Sequence, residues 1–271
     1  MKYDKNNKLR LFEICAGYGS QALALNRLRE IYPDFDYELV GWAEFDPEED
    51  ANPDINKQPA VIAHKVLHPD SSEKNWGDIT KIRWQDLPDF DLLSYSTPCQ
   101  SISQAGLQHG FTEGSGTRSS IIWNVRDCVK AKRPKFLMLE NVKAMVSSKY
   151  VGLFNVWQRE LEKLGYANFG QVLNAKDFGV PQNRERIFLI SIRIDDINEI
   201  PRFHFPKPQP LQLCLADVLE EEVDEKYFLS DEMLARFCEK SMEEETMPNI
   251  DIDAFPNEDA EIDFEDFFVA Q

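Results

Sequence analysis

The chain has 271 residues, 42% of them hydrophobic and 29% charged, with a formal net charge of −18. That length holds one large α/β domain with a sizeable core plus an appendage, and the balance is ordinary for a soluble enzyme. No run of about eighteen apolar residues is present, and the opening Met1-Lys2-Tyr3-Asp4-Lys5-Asn6-Asn7 lacks a signal-peptide core, so the expectation is a cytoplasmic protein without a membrane span.

Residues 8–15 (Lys-Leu-Arg-Leu-Phe-Glu-Ile-Cys) read as a first strand, apolar on both faces. The strand runs into Ala16-Gly17-Tyr18-Gly19-Ser20 and then into residues 21–28, which have helical propensity and period. Strand, glycine turn and helix open a nucleotide-binding βαβ unit, in which Gly17 and Gly19 allow close approach to the backbone. Residues 37–43 form the second predicted strand. Glu44 at its end is placed to hydrogen-bond ribose hydroxyls. On these residues alone a nicotinamide dinucleotide fits as well as any other nucleoside ligand.

A helix is predicted over residues 60–67. Strands follow at 91–95, 135–139, 169–173 and 186–192, separated by helices at 119–132 and 153–164. Alternation of this kind predicts an α/β fold, a doubly wound, mostly parallel sheet with helices on both faces. Between Gln100 and Gly116 the chain carries Gly106, Gly110, Gly114 and Gly116 and no period, which reads as a mobile active-site loop or an ordinary surface connection. After Arg193 the pattern decays into a proline-rich linker at 203–210 and a short helix at 215–220.

The charge is unevenly spread. Residues 1–216 carry 28 acidic and 27 basic side chains, and residues 217–271 carry 20 and 3. A net charge of −18 is wrong for a protein that binds phosphate, but a nearly neutral body leaves room for a local basic face. Residues 239–271 alternate acids with single hydrophobes and are expected to be disordered in isolation. Five scattered cysteines without a C-x-x-C pair argue against a disulfide framework and a zinc site, so no metal is expected.

Three short motifs follow predicted strands or open one. Thr97-Pro98-Cys99-Gln100 comes after the run at 90–95, where open α/β sheets hold their ligands, and Pro98 keeps that turn extended. A cysteine there is either a small buried residue or a nucleophile. Leu139-Glu140-Asn141-Val142 ends another apolar run, and Gln182-Asn183-Arg184-Glu185-Arg186 opens a third.

In this order the motifs resemble the Pro-Cys-Gln, Glu-Asn-Val and Gln-x-Arg-x-Arg signatures of the DNA (cytosine-5) methyltransferases, over residues 9–227. The resemblance implies a catalytic domain at 1–200 acting on double-stranded DNA, with S-adenosyl-L-methionine as methyl donor. It implies Cys99 as nucleophile, Glu140 at ring nitrogen 3, Arg186 at the carbonyl oxygen and Arg184 in support. It also implies a donor site of Ala16, Gly17, Gly19, Glu44, Phe45 against adenine, Asp78 and Ile79 at the adenine edge, and Pro98. Cys15, Ser20, Thr97 and Ile102 depart from the family's usual residues. The family's target-recognition domain and closing segments are not found. Residues 201–238 therefore read as linker and short helices at the start of that domain, and the chain reads as a truncated enzyme, a remnant, or one part of a split enzyme whose second polypeptide supplies recognition. Two further readings stay open, a non-catalytic interaction protein keeping the fold and an RNA cytosine-5 methyltransferase.

Overall fold

The computed structural model describes residues 3–48, 52–98, 112–114, 118–196 and 198–235. The expected nucleophile Cys99, most of the glycine-punctuated stretch and the acidic residues 239–271 lie outside the described residues. Six strands form one sheet: β1 (Leu9–Ile14), β2 (Tyr37–Ala43), β3 (Leu92–Tyr95), β4 (Phe136–Val142), β5 (Tyr166–Asn174) and β6 (Glu185–Arg193). Their order is β2-β1-β3-β4-β6-β5. Among the described residues of the sheet-bearing unit, four α-helices accompany them, α1 (Ser20–Ile31), α2 (Pro59–Leu67), α3 (Ile122–Lys132) and α4 (Val151–Lys163). The ends of these elements differ from the sequence expectation by up to three residues.

β1, β2, β3 and β4 pair in parallel, while β6 is antiparallel to both β4 and β5. Five strands thus run one way and β6 the other, so the mostly parallel expectation holds with one exception. The cause is local. Between β5 and β6 the chain makes only a short 3-10 turn at Ala175–Phe178 and a loop, too short for the crossover a parallel return needs. No helix among the described residues is long and apolar enough to cross a membrane.

The two faces of the sheet carry separate cores. On one, α1 and α2 place Ala22 and Val61 over Leu9, Leu11, Leu39 and Trp42. On the other, α3 and α4 pack Ile122, Val125, Trp157 and Leu161 over Phe12, Ile14, Leu93, Tyr95 and Leu137. Neighbouring residues of one strand, such as Leu11 and Phe12, feed opposite cores, which is why β1 reads apolar on both faces. Trp157 donates through Nε1 to the buried Tyr95 hydroxyl at 3.2 Å, which satisfies both polar groups inside the second core.

At the edge where β1 and β3 begin, Arg10 grips Asp91 with Nε and Nη2 at 3.1 and 3.0 Å. Burial pushes the Asp91 carboxyl up, but the Arg10 fork more than offsets it and holds Asp91 below the ordinary carboxylate range. The candidate residues Glu44 and Glu140 lie toward the opposite ends of β2 and β4.

The compact unit Met1–Asp217 contains the whole sheet, and Val218–Gln271 forms a second unit. The described part of that second unit carries a 3-10 turn at Glu225–Tyr227, with Asp224 accepting from Lys226 N–H at 3.0 Å.

Candidate active site

The carboxyl ends of β1, β2, β3 and β4 meet at one edge, where ligands of open α/β sheets bind. Reversal of β6 brings its first residues to this same edge, and Val142 pairs with Arg186 in the register. An arginine that opens an antiparallel strand therefore reaches a glutamate that closes a parallel one. Arg186 Nε stands 3.2 Å from Glu140 Oε1, and Arg184 Nη2 reaches only 4.0 Å from it. The backbone N–H of Arg184 donates to Asn174 Oδ1 at 3.0 Å.

Beside Glu140, Asn141 points the other way and is buried. Its Nδ2 donates to the Thr97 carbonyl at 3.0 Å, and its Oδ1 accepts from Val142 N–H at 2.9 Å. Thr97 is itself buried, and the half-buried Pro98 follows it directly. Asn141 thus ties the turn leading to Cys99 onto the strand that carries Glu140. Asn141 received no role in the sequence analysis, although it stands in the quoted motif. Replacing Asn141 by Ala leaves a buried carbonyl without this donor and is expected to cost about 1–3 kcal/mol of stability, measurable by denaturant unfolding.

The glycine turn builds the second half of the site. Ala16 N–H donates to Ala43 O at 3.2 Å, and Gly19 N–H returns to Ala16 O at 2.8 Å. Glu44 accepts from Gly17 N–H at 2.7 Å through one oxygen and from Phe45 N–H at 3.1 Å through the other. Burial raises the Glu44 pKa above its ordinary value, with the two N–H bonds pulling the other way. Gly17 has φ 55, and a Cβ built there would meet open space. The turn is therefore strained for other residues but offers its backbone to a ligand.

Asn75, also unassigned from sequence, braces this end. Its Oδ1 accepts from Glu44 N–H at 3.1 Å and Gly77 N–H at 3.0 Å. That links β2 to Gly77-Asp78-Ile79. Asp78 is gripped by Thr80 N–H at 2.9 Å and Thr80 Oγ1 at 2.7 Å, with Lys81 at 3.3 Å. Burial pushes the Asp78 carboxyl up, and these donors more than offset it. Lys81 also lies 5.6 Å from the centre of the Phe45 ring, so Phe45 and Asp78 share a neighbour. Ile79 is buried behind them.

These residues fit a nucleoside-bearing donor. A half-buried carboxylate with lone pairs to spare stands at a backbone cradle that a side chain would fill, and an aromatic ring follows it in the chain. Glu44 would take ribose hydroxyls, and Gly17 would lie against the ligand.

The model of the C-5 cytosine-specific DNA methylase family matches residues 9–262, past Tyr227 and into the acidic segment. The Type II methyltransferase M2.ScrFI of Lactococcus lactis subsp. cremoris is 38% identical over 267 residues, covering 84% of this chain and 72% of that protein. The Type II methyltransferase M.SsoII of Shigella sonnei is 32% identical over 228 residues, 84% of this chain and 54% of its own length. The chain spans about half the length of several curated relatives it matches. Among solved structures, S. pombe Dnmt2 methyltransferase superposes with a TM-score of 0.55 at 19% identity, covering 86% of this chain and 66% of that one, which shows the shared fold. With the motifs, the sheet order and a family match over nearly its whole length, the chain belongs to the C-5 cytosine-specific DNA methylase family.

Proposed function

We propose that the chain is a DNA cytosine-5 methyltransferase acting in the cytoplasm of a bacterial or phage-infected cell. It would transfer a methyl group from S-adenosyl-L-methionine to carbon 5 of a cytosine flipped out of duplex DNA, through a covalent bond to Cys99. The observation that carries the reading is Glu140 paired with Arg186 at 3.2 Å, on the strand whose Asn141 holds the turn before Cys99.

Carbon 5 of cytosine is a weak nucleophile. A Cys99 thiolate bonding to carbon 6 makes carbon 5 enamine-like and able to attack an electrophilic methyl group. S-adenosyl-L-methionine supplies that methyl group on a sulfonium sulfur when bound. Glu140 would deliver a proton to ring nitrogen 3, and Arg186 would hold the carbonyl oxygen, which stabilises the charge that develops on the ring. Arg184 would support that pair. Methyl transfer would leave the neutral thioether S-adenosylhomocysteine. Carbon 5 would then lose its proton to water, the carbon–sulfur bond would break with its electrons returning to Cys99, and ring nitrogen 3 would return its proton to Glu140 as the ring recovers its aromaticity. The base must leave the helix first, because carbon 6 is stacked inside the duplex.

The separate recognition polypeptide expected from sequence draws no support from the comparisons, and the test therefore uses the chain alone. Incubated with duplex DNA and methyl-labelled S-adenosyl-L-methionine, the full chain is expected to place label in 5-methylcytosine. Absence of label from DNA, in a chain that binds both donor and duplex, overturns the reading.

A further inference from the structure

Behind the glycine turn lies a buried cluster that the proposed chemistry does not use. Glu13 of β1 and His64 of α2 are almost fully buried, and His68 caps the end of α2. Glu13 Oε1 accepts from Ala22 N–H at 3.1 Å, in the first turn of α1. That helix has Gly19 at its N-cap and no capping side chain of its own, so Glu13 substitutes from a neighbouring strand. His64 stacks flat on Trp42 with ring centres 3.7 Å apart, its Nε2 3.6 Å from Glu13 Oε2. His68 packs against His64 with centres 4.6 Å apart.

His68 Nε2 lies 3.2 Å from both the Tyr18 and the Gly19 carbonyl oxygens. Two acceptors facing one ring nitrogen require that nitrogen to carry the hydrogen. The fit is tight, since a Cβ on Gly19 would come within 2.3 Å of His68 Nε2 and 3.0 Å of His64 Nε2. Gly19 has φ 79 as well. Glycine is thus required there twice over, by backbone conformation and by the ring beneath it. Among the described residues the turn is held from outside by Ala43 O on the Ala16 N–H, by Glu44 on the Gly17 N–H and by His68 on the Tyr18 and Gly19 carbonyls.

We propose that His68 is a positioning residue of the methyl-donor site, its Nε2–H clamping the Tyr18 and Gly19 carbonyls so that Gly17 meets the ligand preorganised. This rests on the reading of the glycine turn as the donor site. A positioning group of this kind lowers the ordering cost of binding without touching the ligand.

The experiment is calorimetry of S-adenosylhomocysteine binding to the full chain and to His68→Leu, His68→Gln and Val61→Ala, with melting temperatures for all four. Glutamine carries a donor where leucine has none. Val61→Ala opens the same buried helix face while leaving both His68 contacts with the turn in place, and controls for lost stability. The expected result is a Kd raised about 3–10-fold in His68→Leu, as for one lost hydrogen bond, largely restored in His68→Gln and unchanged in Val61→Ala. Unchanged affinity in His68→Leu overturns the proposal, as does equal loss in His68→Gln, or loss in Val61→Ala in step with its melting temperature. If His68→Leu does not fold, the comparison of His68→Gln with Val61→Ala decides, and a weakened His68→Gln beside an unchanged Val61→Ala overturns the clamp. A parent chain that binds no S-adenosylhomocysteine overturns the donor-site reading instead.

Discussion

Cys99→Ala is expected to abolish the covalent adduct between the chain and duplex DNA containing 5-fluorocytosine, and to lower methyl transfer by several orders of magnitude. Fluorine at carbon 5 cannot leave as a proton, so the reaction halts after methyl transfer with the cysteine still bound to carbon 6. The adduct then survives denaturing electrophoresis. The described cysteines supply the controls. Cys128 is fully buried, and burial pushes its thiol pKa up, so it stays a protonated thiol that cannot attack. Cys214 is exposed, outside the sheet, and Cys214→Ala should leave the adduct intact. An undiminished adduct in Cys99→Ala would remove that residue from the mechanism.

The elements were legible because β1, β3 and β4 are bounded by turns and apolar along their length, and because α4 has a clear stripe at Phe154, Trp157 and Leu161. Placement of Glu140 and Arg186 near one another was expected from the family resemblance. What brings them together, the reversal of β6, was not readable from that strand's own residues. Ile187-Phe188-Leu189-Ile190 has the same apolar pattern in either direction, and direction is decided by the short connection before it.

The supporting polar residues were the least legible. Asn75, Asn141 and His68 each act on backbone groups brought near by folding, Asn141 across 44 positions and His68 across 50. A single asparagine or histidine in a chain carries no sign of which distant carbonyl it will meet. Glu13 shows the same limit. It interrupts an apolar strand, and only the position of α1 reveals that it caps that helix.

Glu44→Ala is expected to weaken S-adenosylhomocysteine binding by about 1.5–3 kcal/mol, the range for losing a charged hydrogen-bond acceptor. Two effects add. On the proposed reading the ligand loses its partner for the ribose hydroxyls, and Gly17 N–H loses the 2.7 Å bond that orients the cradle. The pH dependence in the parent chain follows from burial. Because burial raises the Glu44 pKa, its carboxylate takes up a proton at a higher pH than an exposed glutamate with the ordinary value of 4.5. Affinity should therefore fall with acidification before ordinary glutamates titrate, and Glu44→Ala should flatten that limb. The stability sign is opposite. A folded pKa above the unfolded one means that ionising Glu44 opposes folding, so its contribution declines as pH rises from 4.5 through the raised value. At neutral pH the alanine variant then sheds the cost of a partly buried charge but also loses two backbone hydrogen bonds. Its melting temperature should change little while its affinity drops. Affinity equal to the parent at pH 7, or tight binding of a nicotinamide dinucleotide with none of S-adenosylhomocysteine, would sink the assignment of this turn to the methyl donor.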